Sequence, residues 1–205
     1  YGGIFVERLR VIIEGSGKHV HVTRETLDKL YGEGFELEHK KSLSQPGQFS
    51  SNQKVDIIGP KCRMNGVTII GPCRKVNQVE LSYTDARTLG LNPPVRESGD
   101  ITGSAPCTLV GPCGSVDISE GAIIAKRHLH CTPEDAEKYG IQNGEIVIIR
   151  VEGDRALWFD EVVARVSSSY ATYAHIDYDE INAAALFSDT IYGTVYHKSE
   201  FGIDK

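Results

Sequence analysis

The sequence has no apolar run approaching the roughly 20 residues that a membrane-spanning helix needs, and no charged and apolar leader of the secretory kind. It has no basic run either. With a net charge of -6 and a pI near 5.7, a protein built to grip a phosphate backbone is excluded, although small anions remain within reach of individual Lys and Arg side chains. Its five cysteines (Cys62, Cys73, Cys107, Cys113 and Cys131) are odd in number and contain no C-x-x-C, which argues against a disulfide framework and for reduced thiols. The expectation is a soluble, cytoplasmic protein that engages neither nucleic acid nor membrane. The chain opens on Tyr1 rather than Met, which leaves room for an N-terminal extension.

What the chain does have is a repeated motif. Lys18-His19-Val20-His21-Val22-Thr23 is echoed by Arg127-His128-Leu129-His130-Cys131-Thr132, and the likeness runs on into T-R-E-T-L-D-K-L-Y and T-P-E-D-A-E-K-Y. Side chains at i and i+2 of a strand share a face, so each H-x-H presents two imidazoles together while Lys18, Val20, Leu129 and Cys131 turn away. Neutral imidazole is a common zinc ligand, and a strand pair suits a site with open coordination positions. The alternative is a hydrogen-bonded histidine pair on a solvated strand. Seven histidines placed at random in 205 residues would give about a quarter of one H-x-H, so two with matching flanks favour metal.

Along the chain, residues 4–14 read as a short helix running into a strand that ends at Gly15-Ser16-Gly17. Thr23 is an N-cap for a helix stopping at Gly32 or Gly34. Ser42 to Phe49 is a loop by its Pro and Gly. Three short β runs follow between Val55 and Leu81, two of them ending in Gly-Pro, and Leu109-Val110-Gly111-Pro112 repeats the pattern. Strand plus Gly-Pro at short spacing suggests the corners of a small closed barrel rather than βαβ units. A short helix is expected near 84–89, a turn at Asn92-Pro93-Pro94 and a loop over 96–104. Thr132-Pro133-Glu134-Asp135 opens a helix ending near Gly140. Strands are expected at 145–151 and 157–166 and a helix over 177–185, with the residues past Ser188 uninformative.

These pieces occur in a particular order: H-V-H with a following Thr, S-L-S-Q-P-G-Q-F, G-P-x-R before Q-V-E, S-G-D-I-T-G-S, R-H-x-H-x-T-P-E-D-A, and H-I-D-x-D-E-I-N-A. From about Val11 to Ala185 the chain resembles the PduL-type phosphotransacylases, the phosphate propanoyltransferases of bacterial microcompartments. The resemblance implies a mainly β fold of two small closed β-barrel domains capped by short helices. The first domain would comprise residues 1–18 and 126–190, the second 19–125, with 191–205 a tail. Both H-x-H strands would then lie at crossovers, with the metals between the barrels. It further implies two metal ions, usually zinc, one held by His19, His21 and Glu80 and the other by His128, His130 and His175. Arg74 would grip phosphate and act in catalysis, and Ser16, Lys41 and Asn182 would contact coenzyme A. Taken alone, Glu80 reads as a solvated carboxylate and His175 as a satisfied histidine; His39 and His197 read as surface groups.

The activity so implied is reversible acyl transfer from a short acyl-CoA, propanoyl or acetyl, to phosphate, giving acyl phosphate and free coenzyme A. Family members are commonly homodimers, and the family setting adds microcompartment shell or cargo proteins as partners and propanediol degradation as context. The alternatives are a metal-dependent acyl-CoA thioesterase using activated water, an inactive metal-binding relative, and, for the mechanism, an acyl-cysteine at Cys73 beside Arg74. Two departures stand out. Lys18 replaces the usual Arg before the first H-x-H, and Cys62, Cys73 and Cys113 occupy positions where other small or apolar residues are expected.

Overall fold

The computed structural model describes residues 7–202. The chain forms two compact units, one of Gly17–Lys126 and the other of the residues up to Ser16 together with those from Arg127 onward. In chain order come β1 (Arg10–Ser16), β2 (His19–His21), α1 (Arg24–Tyr31), β3 (His39–Ser42), β4 (Phe49–Ile58), β5 (Arg63–Gly71), β6 (Gln78–Leu81), α2 (Tyr83–Leu89), β7 (Val95–Arg96), β8 (Ala105–Val110) and β9 (Ser115–Ala125). Then follow β10 (His128–Cys131), α3 (Pro133–Tyr139), β11 (Ile146–Val151), β12 (Leu157–Val166), β13 (Tyr173–Asp177), α4 (Tyr178–Ala183) and β14 (Ile191–His197). Among the described residues no helix is long and apolar enough to cross a membrane.

Each unit is a six-stranded closed barrel with short helices, in agreement with the mainly β, two-barrel expectation. One ring runs β2-β6-β9-β8-β4-β5, and β3 and β7 are short additions at β4 and β9. The other runs β10-β13-β1-β14-β11-β12. Written from the H-x-H strand, the two rings have the same order and the same senses. The H-x-H strand is antiparallel to one neighbour (β6, β13) and parallel to the other (β5, β12). The next pair round the ring is parallel again (β6 with β9, β13 with β1). The repeat therefore extends over a whole barrel, and one barrel is a circular permutation of the other. Its β1 arrives from the start of the chain, whereas the equivalent β9 comes last in its own unit. Closure removes the free strand edges that would otherwise invite pairing with other chains.

Each barrel has its own core. Val20, Leu27, Ile57, Ile69, Leu89 and Leu109 fill one, and Leu129, Val147, Ile149, Phe159 and Val162 the other. The helices begin where capping chemistry dictates. Thr23, Ser82 and Thr132 each accept a hydrogen bond from the N–H three residues on, and Asp177 does so within a capping box closed by Glu180.

Three segments differ from the expectation. The helical part of 4–14 falls partly on residues 4–6, outside the described residues, and 7–9 have no regular structure before β1 begins. Strand β4 starts at Phe49, six residues ahead of the apolar run at Val55. Its inward positions there are Ser51 and Gln53, buried by hydrogen bonds instead of by apolarity: Ser51 Oγ donates to the Ile69 carbonyl at 2.7 Å and Gln53 Oε1 accepts from the Glu38 N–H at 2.9 Å. Residues 191–197, expected to be a tail, form β14, which pairs with both β1 and β11 and turns Gly193 and Val195 inward. His197 is accordingly not a free surface group; its Nδ1 lies 2.7 Å from Glu145 Oε1 and its Nε2 3.1 Å from the Tyr139 carbonyl.

Two of the three Gly-Pro corners hold helix ends. The Lys61 N–H donates to the Leu89 carbonyl that ends α2, and the Cys113 N–H to the Leu30 carbonyl in the last turn of α1. Helix C-terminal carbonyls lack intrahelical partners, so the corners satisfy them. The approach is so close that a Cβ on Gly59 would lie 2.4 Å from the Leu89 carbonyl oxygen, and one on Gly111 2.5 Å from that of Leu30. Replacing Gly111 by Ala should destabilise the protein by about 1–3 kcal/mol, the usual magnitude for a steric misfit in a packed site, read as a fall in thermal midpoint of several degrees. A second outcome concerns pH. Burial opposes a charge on His197, but Glu145 and the Tyr139 carbonyl outweigh it and raise the imidazole above its ordinary value. Stability from this pair is fully present below the unfolded pKa of about 6.5 and is lost as pH rises through the higher folded value. The midpoint difference between the parent and His197→Gln should thus be larger at pH 5.5 than at pH 9.

Candidate metal centres

Strand alternation and ladder register together build two three-ligand clusters. In the Gly17–Lys126 unit, His19 and His21 project from β2 and Glu80 from the antiparallel β6, with His19 directly opposite Glu80 and His21 opposite Gln78. In the other unit, His128 and His130 project from β10 and His175 from the antiparallel β13, with His128 directly opposite His175. The third ligand therefore stands across from the first histidine of the motif in both barrels. In each cluster the candidate donor atoms lie within 4.8 Å of one another.

The first cluster is buried: His19, His21 and Glu80 are 9%, 2% and 6% exposed. His19 Nδ1 is 2.8 Å from the Gly17 carbonyl and His21 Nδ1 3.2 Å from that of Ile70. Carbonyls only accept, so each Nδ1 carries a proton, and Nε2 is the nitrogen turned toward Glu80. Those Nε2 atoms lie 3.5 and 4.0 Å from the Glu80 carboxylate. A backbone-anchored Nδ1–H and a free Nε2 is the arrangement that orients a metal-ligating imidazole. Burial works against the Glu80 carboxylate, but His19, His21 and Ser98 outweigh it and hold Glu80 well below the usual carboxylate range. Burial, with the charges of His19 and Arg74, pushes His21 well below its ordinary value, whereas Glu80 overcomes burial at His19 and raises it. At neutral pH the cluster offers an anion and a neutral imidazole donor.

Around Glu80 lies a polar network. Gln78 Nε2 donates to Glu80 Oε1 at 2.6 Å, and Ser98 Oγ lies 2.9 Å from the same oxygen. Arg74 Nη1 reaches Ser98 Oγ at 3.2 Å and its Nη2 reaches Gln48 Oε1 at 3.5 Å. Arg74 is thereby placed next to the first cluster, its backbone fixed to the Val22 carbonyl. Sequence reasoning missed Gln48, Gln78 and Ser98. Only Gln78 carried a local signal, standing two residues before Glu80 and so on its face.

The second cluster is all imidazole, with ring centroids 4.7–5.1 Å apart. His130 Nδ1 is buried without a hydrogen-bond partner, a cost of about 1–3 kcal/mol unless something occupies that lone pair. Burial first, then His128 and Arg165, push the His130 imidazole down to about 3, so it is a neutral donor at any physiological pH. The Tyr170 ring lies tilted against that of His130, centroids 4.3 Å apart, and Glu14 Oε2 stands 3.8 Å from His175 Nδ1. Soft nitrogen donors in threes, one with an orphaned nitrogen, fit zinc with a position left open. Glu80 and His175 are thus cluster members, not the solvated carboxylate and satisfied histidine that each suggests alone.

The basic residue before each motif also has a structural counterpart. Lys18 Nζ bonds Asp85 Oδ1 at 2.9 Å, and Arg127 bonds Glu180; Asp85 and Glu180 are both the third residue of the helix that follows the third-ligand strand. A single ammonium serves at position 18 because its partner is one carboxylate oxygen. Cys131 turns into the core, and burial pushes its thiol up to about 11. The Cys73 thiol is raised as well, by burial, and the cation that opposes this is Arg24. A raised thiol is not an activated nucleophile, which argues against an acyl-cysteine. Of the coenzyme A candidates, Ser16 pairs with Asp177 across β1 and β13, and Asn182 is exposed on the helix that Asp177 caps. Lys41 is exposed on β3 of the other unit.

A family model described as phosphate propanoyltransferase matches residues 12–187. The chain is 50% identical over 190 residues to the phosphate propanoyltransferase of Listeria monocytogenes, covering 93% of this chain and 89% of that protein. It is 49% identical over 179 residues to that of Clostridioides difficile, covering 87% and 86%, and 49% identical over 177 residues to that of Thermotoga maritima, covering 86% and 84%. The two clusters should bind two zinc ions per chain by elemental analysis, and Glu80→Gln or His130→Ala should each lower the count to one; an unchanged count of two in either variant would remove that cluster as a ligand set.

Proposed function

The chain belongs to the phosphate propanoyltransferase family and is an acyltransferase, and from that premise we propose that it exchanges a propanoyl or acetyl group between coenzyme A and inorganic phosphate, with one zinc ion held by His19, His21 and Glu80 and another by His128, His130 and His175. The observation that carries this reading is the guanidinium of Arg74 fixed by Ser98 and Gln48 beside a buried His-His-Glu set. An anion site and a metal ligand set share one hydrogen-bonded network, as a reaction between a phosphate and an electrophile requires.

Arg74 binds phosphate, its planar fork matching two phosphate oxygens. Holding the nucleophile in place converts a bimolecular attack into a positioned one. A phosphate oxygen attacks the thioester carbonyl carbon; the C–O bond forms, the C–S bond breaks, and the electron pair departs on sulfur as the coenzyme A thiolate. When bound, zinc supplies Lewis acidity that offsets negative charge on the thioester oxygen or the departing sulfur. The Gly17 and Ile70 carbonyls keep His19 and His21 in the tautomer that presents Nε2. No side-chain nucleophile is needed, and the raised Cys73 thiol offers none. Coenzyme A is assigned to Ser16, Asn182 and Lys41. On the family resemblance alone, the protein is a homodimer working with microcompartment shell or cargo proteins in propanediol degradation. Acetyl and propanoyl differ by one methylene, worth about 1–3 kcal/mol in a pocket, so both are accepted.

The deciding assay is thiol release from propanoyl-CoA with and without inorganic phosphate, before and after metal is stripped with a chelator. Release that needs both supports the proposal; release independent of phosphate supports a thioesterase, and none from metal-replete protein overturns enzymatic turnover of short acyl-CoA. Arg74→Ala should lower kcat/KM for phosphate by about 10²-fold or more, and Arg74→Lys should recover only part of it, because an ammonium lacks the fork.

A further inference from the structure

Ser98 sits on the loop between β7 and β8, far in sequence from both groups it joins. Its hydroxyl has one proton and two lone pairs. Glu80 Oε1, 2.9 Å away, can only accept, while Arg74 Nη1 at 3.2 Å and Gln78 Nε2 at 2.9 Å can only donate. The proton must therefore point at Glu80, and both lone pairs are taken by Arg74 and Gln78. The Gln78 amide is itself fixed, since the Gly99 N–H donates to its Oε1 at 2.7 Å. Every bonding position of Ser98 is committed to the protein. It has none left for a substrate.

We infer that Ser98 is a positioning residue that couples the two halves of this site, making occupation of the His19, His21 and Glu80 set and anion binding at Arg74 mutually dependent. The inference rests on the reading that Arg74 takes phosphate and the triad takes metal. With a dication bound, Glu80 would be fixed in one orientation; Ser98, whose proton is committed to Glu80, would be fixed with it and would hold Arg74 through its lone pairs in one orientation. Binding free energies are reciprocal, so phosphate at Arg74 must tighten the metal by the same factor. Loss of a group that orients a ligating carboxylate costs about 10–100-fold in metal affinity.

The test is a titration of chelator-stripped full-length protein with Co(II), followed by its visible absorption, with and without inorganic phosphate. The parent carries His128→Ala and His175→Ala, so that only the first cluster takes cobalt. Phosphate should tighten cobalt by about 5-fold or more. Ser98→Ala should weaken cobalt by about 10–100-fold and reduce the phosphate effect to less than about 2-fold, while Ser98→Thr, which keeps the hydroxyl, restores both. A cooperative melting transition in the metal-free variant shows that it folds, and rescue by Ser98→Thr separates positioning from a folding defect. Should Ser98→Ala not fold, Ser98→Cys, similar in size and a weak donor, carries the same expectation. Unchanged cobalt affinity and an unchanged phosphate effect in the variant would overturn the coupling. A parent that binds no cobalt would overturn the metal reading itself, and the coupling with it.

Discussion

The pairing register of two short antiparallel ladders brings both three-residue clusters of this protein together. His19 stands opposite Glu80, and His128 opposite His175. Because side chains alternate with a period of two, a slip of one residue would send every ligand to the other face. The slip is opposed by the residues between the histidines: Val20 and Leu129 are fully buried, each in the core of its own barrel. Exposing such a side chain costs about 1.5–3 kcal/mol, and a slip would also bury imidazoles in an apolar core. Hydrophobic burial on one face of a three- or four-residue strand thus sets the geometry of a polar cluster on the other.

That constraint appears twice because the whole barrel does. The rings share strand order, strand senses, the placement of a helix after each ligand-bearing strand, and the ion pair from the residue before the motif to the third residue of the following helix. Lys18 and Arg127 are equivalent by this measure, as are Glu80 and His175. Divergence is concentrated in the third ligand, a carboxylate in one barrel and an imidazole in the other. The scaffold tolerates the exchange because the register, not the side chain, decides what faces the H-x-H pair.

Much of this was legible in the sequence where the signal is local. The caps at Thr23 and Thr132, the Gly-Pro corners and the two H-x-H motifs are short patterns whose physics acts within a few residues. The first half of β4, the strand β14 and the partners of Arg74 were not. Ser51 and Gln53 occupy inward positions without being apolar, because hydrogen bonds satisfy them. Strand β14 contains the alternation of Ile191, Gly193 and Val195, but a glycine at the central inward position blunts it. Ser98 and Gln48 lie 24 and 26 residues from Arg74, and no periodicity connects them. The inference from Arg74 to an activated Cys73 failed for the complementary reason: neighbours in sequence on irregular backbone point to different partners, and Cys73 answers to burial and Arg24.

The two clusters are also unlike in charge. The first brings a carboxylate held ionised by His19, His21 and Ser98, with the Arg74 guanidinium beside it; the second brings a His130 that stays neutral down to a pKa of about 3. A buried carboxylate is tolerated only when its lone pairs are engaged, and here Gln78 and Ser98 donate to it. The same dication would therefore meet a donor set carrying one negative charge in the first cluster and none in the second. Less charge from the ligands leaves more on the ion. The all-imidazole set is the better place to draw electron density from a bound group, and the carboxylate set, with a guanidinium in its network, the better place to hold an anion in position. One fold, repeated with a glutamate in one barrel where the other has a histidine, thus provides two clusters of different charge.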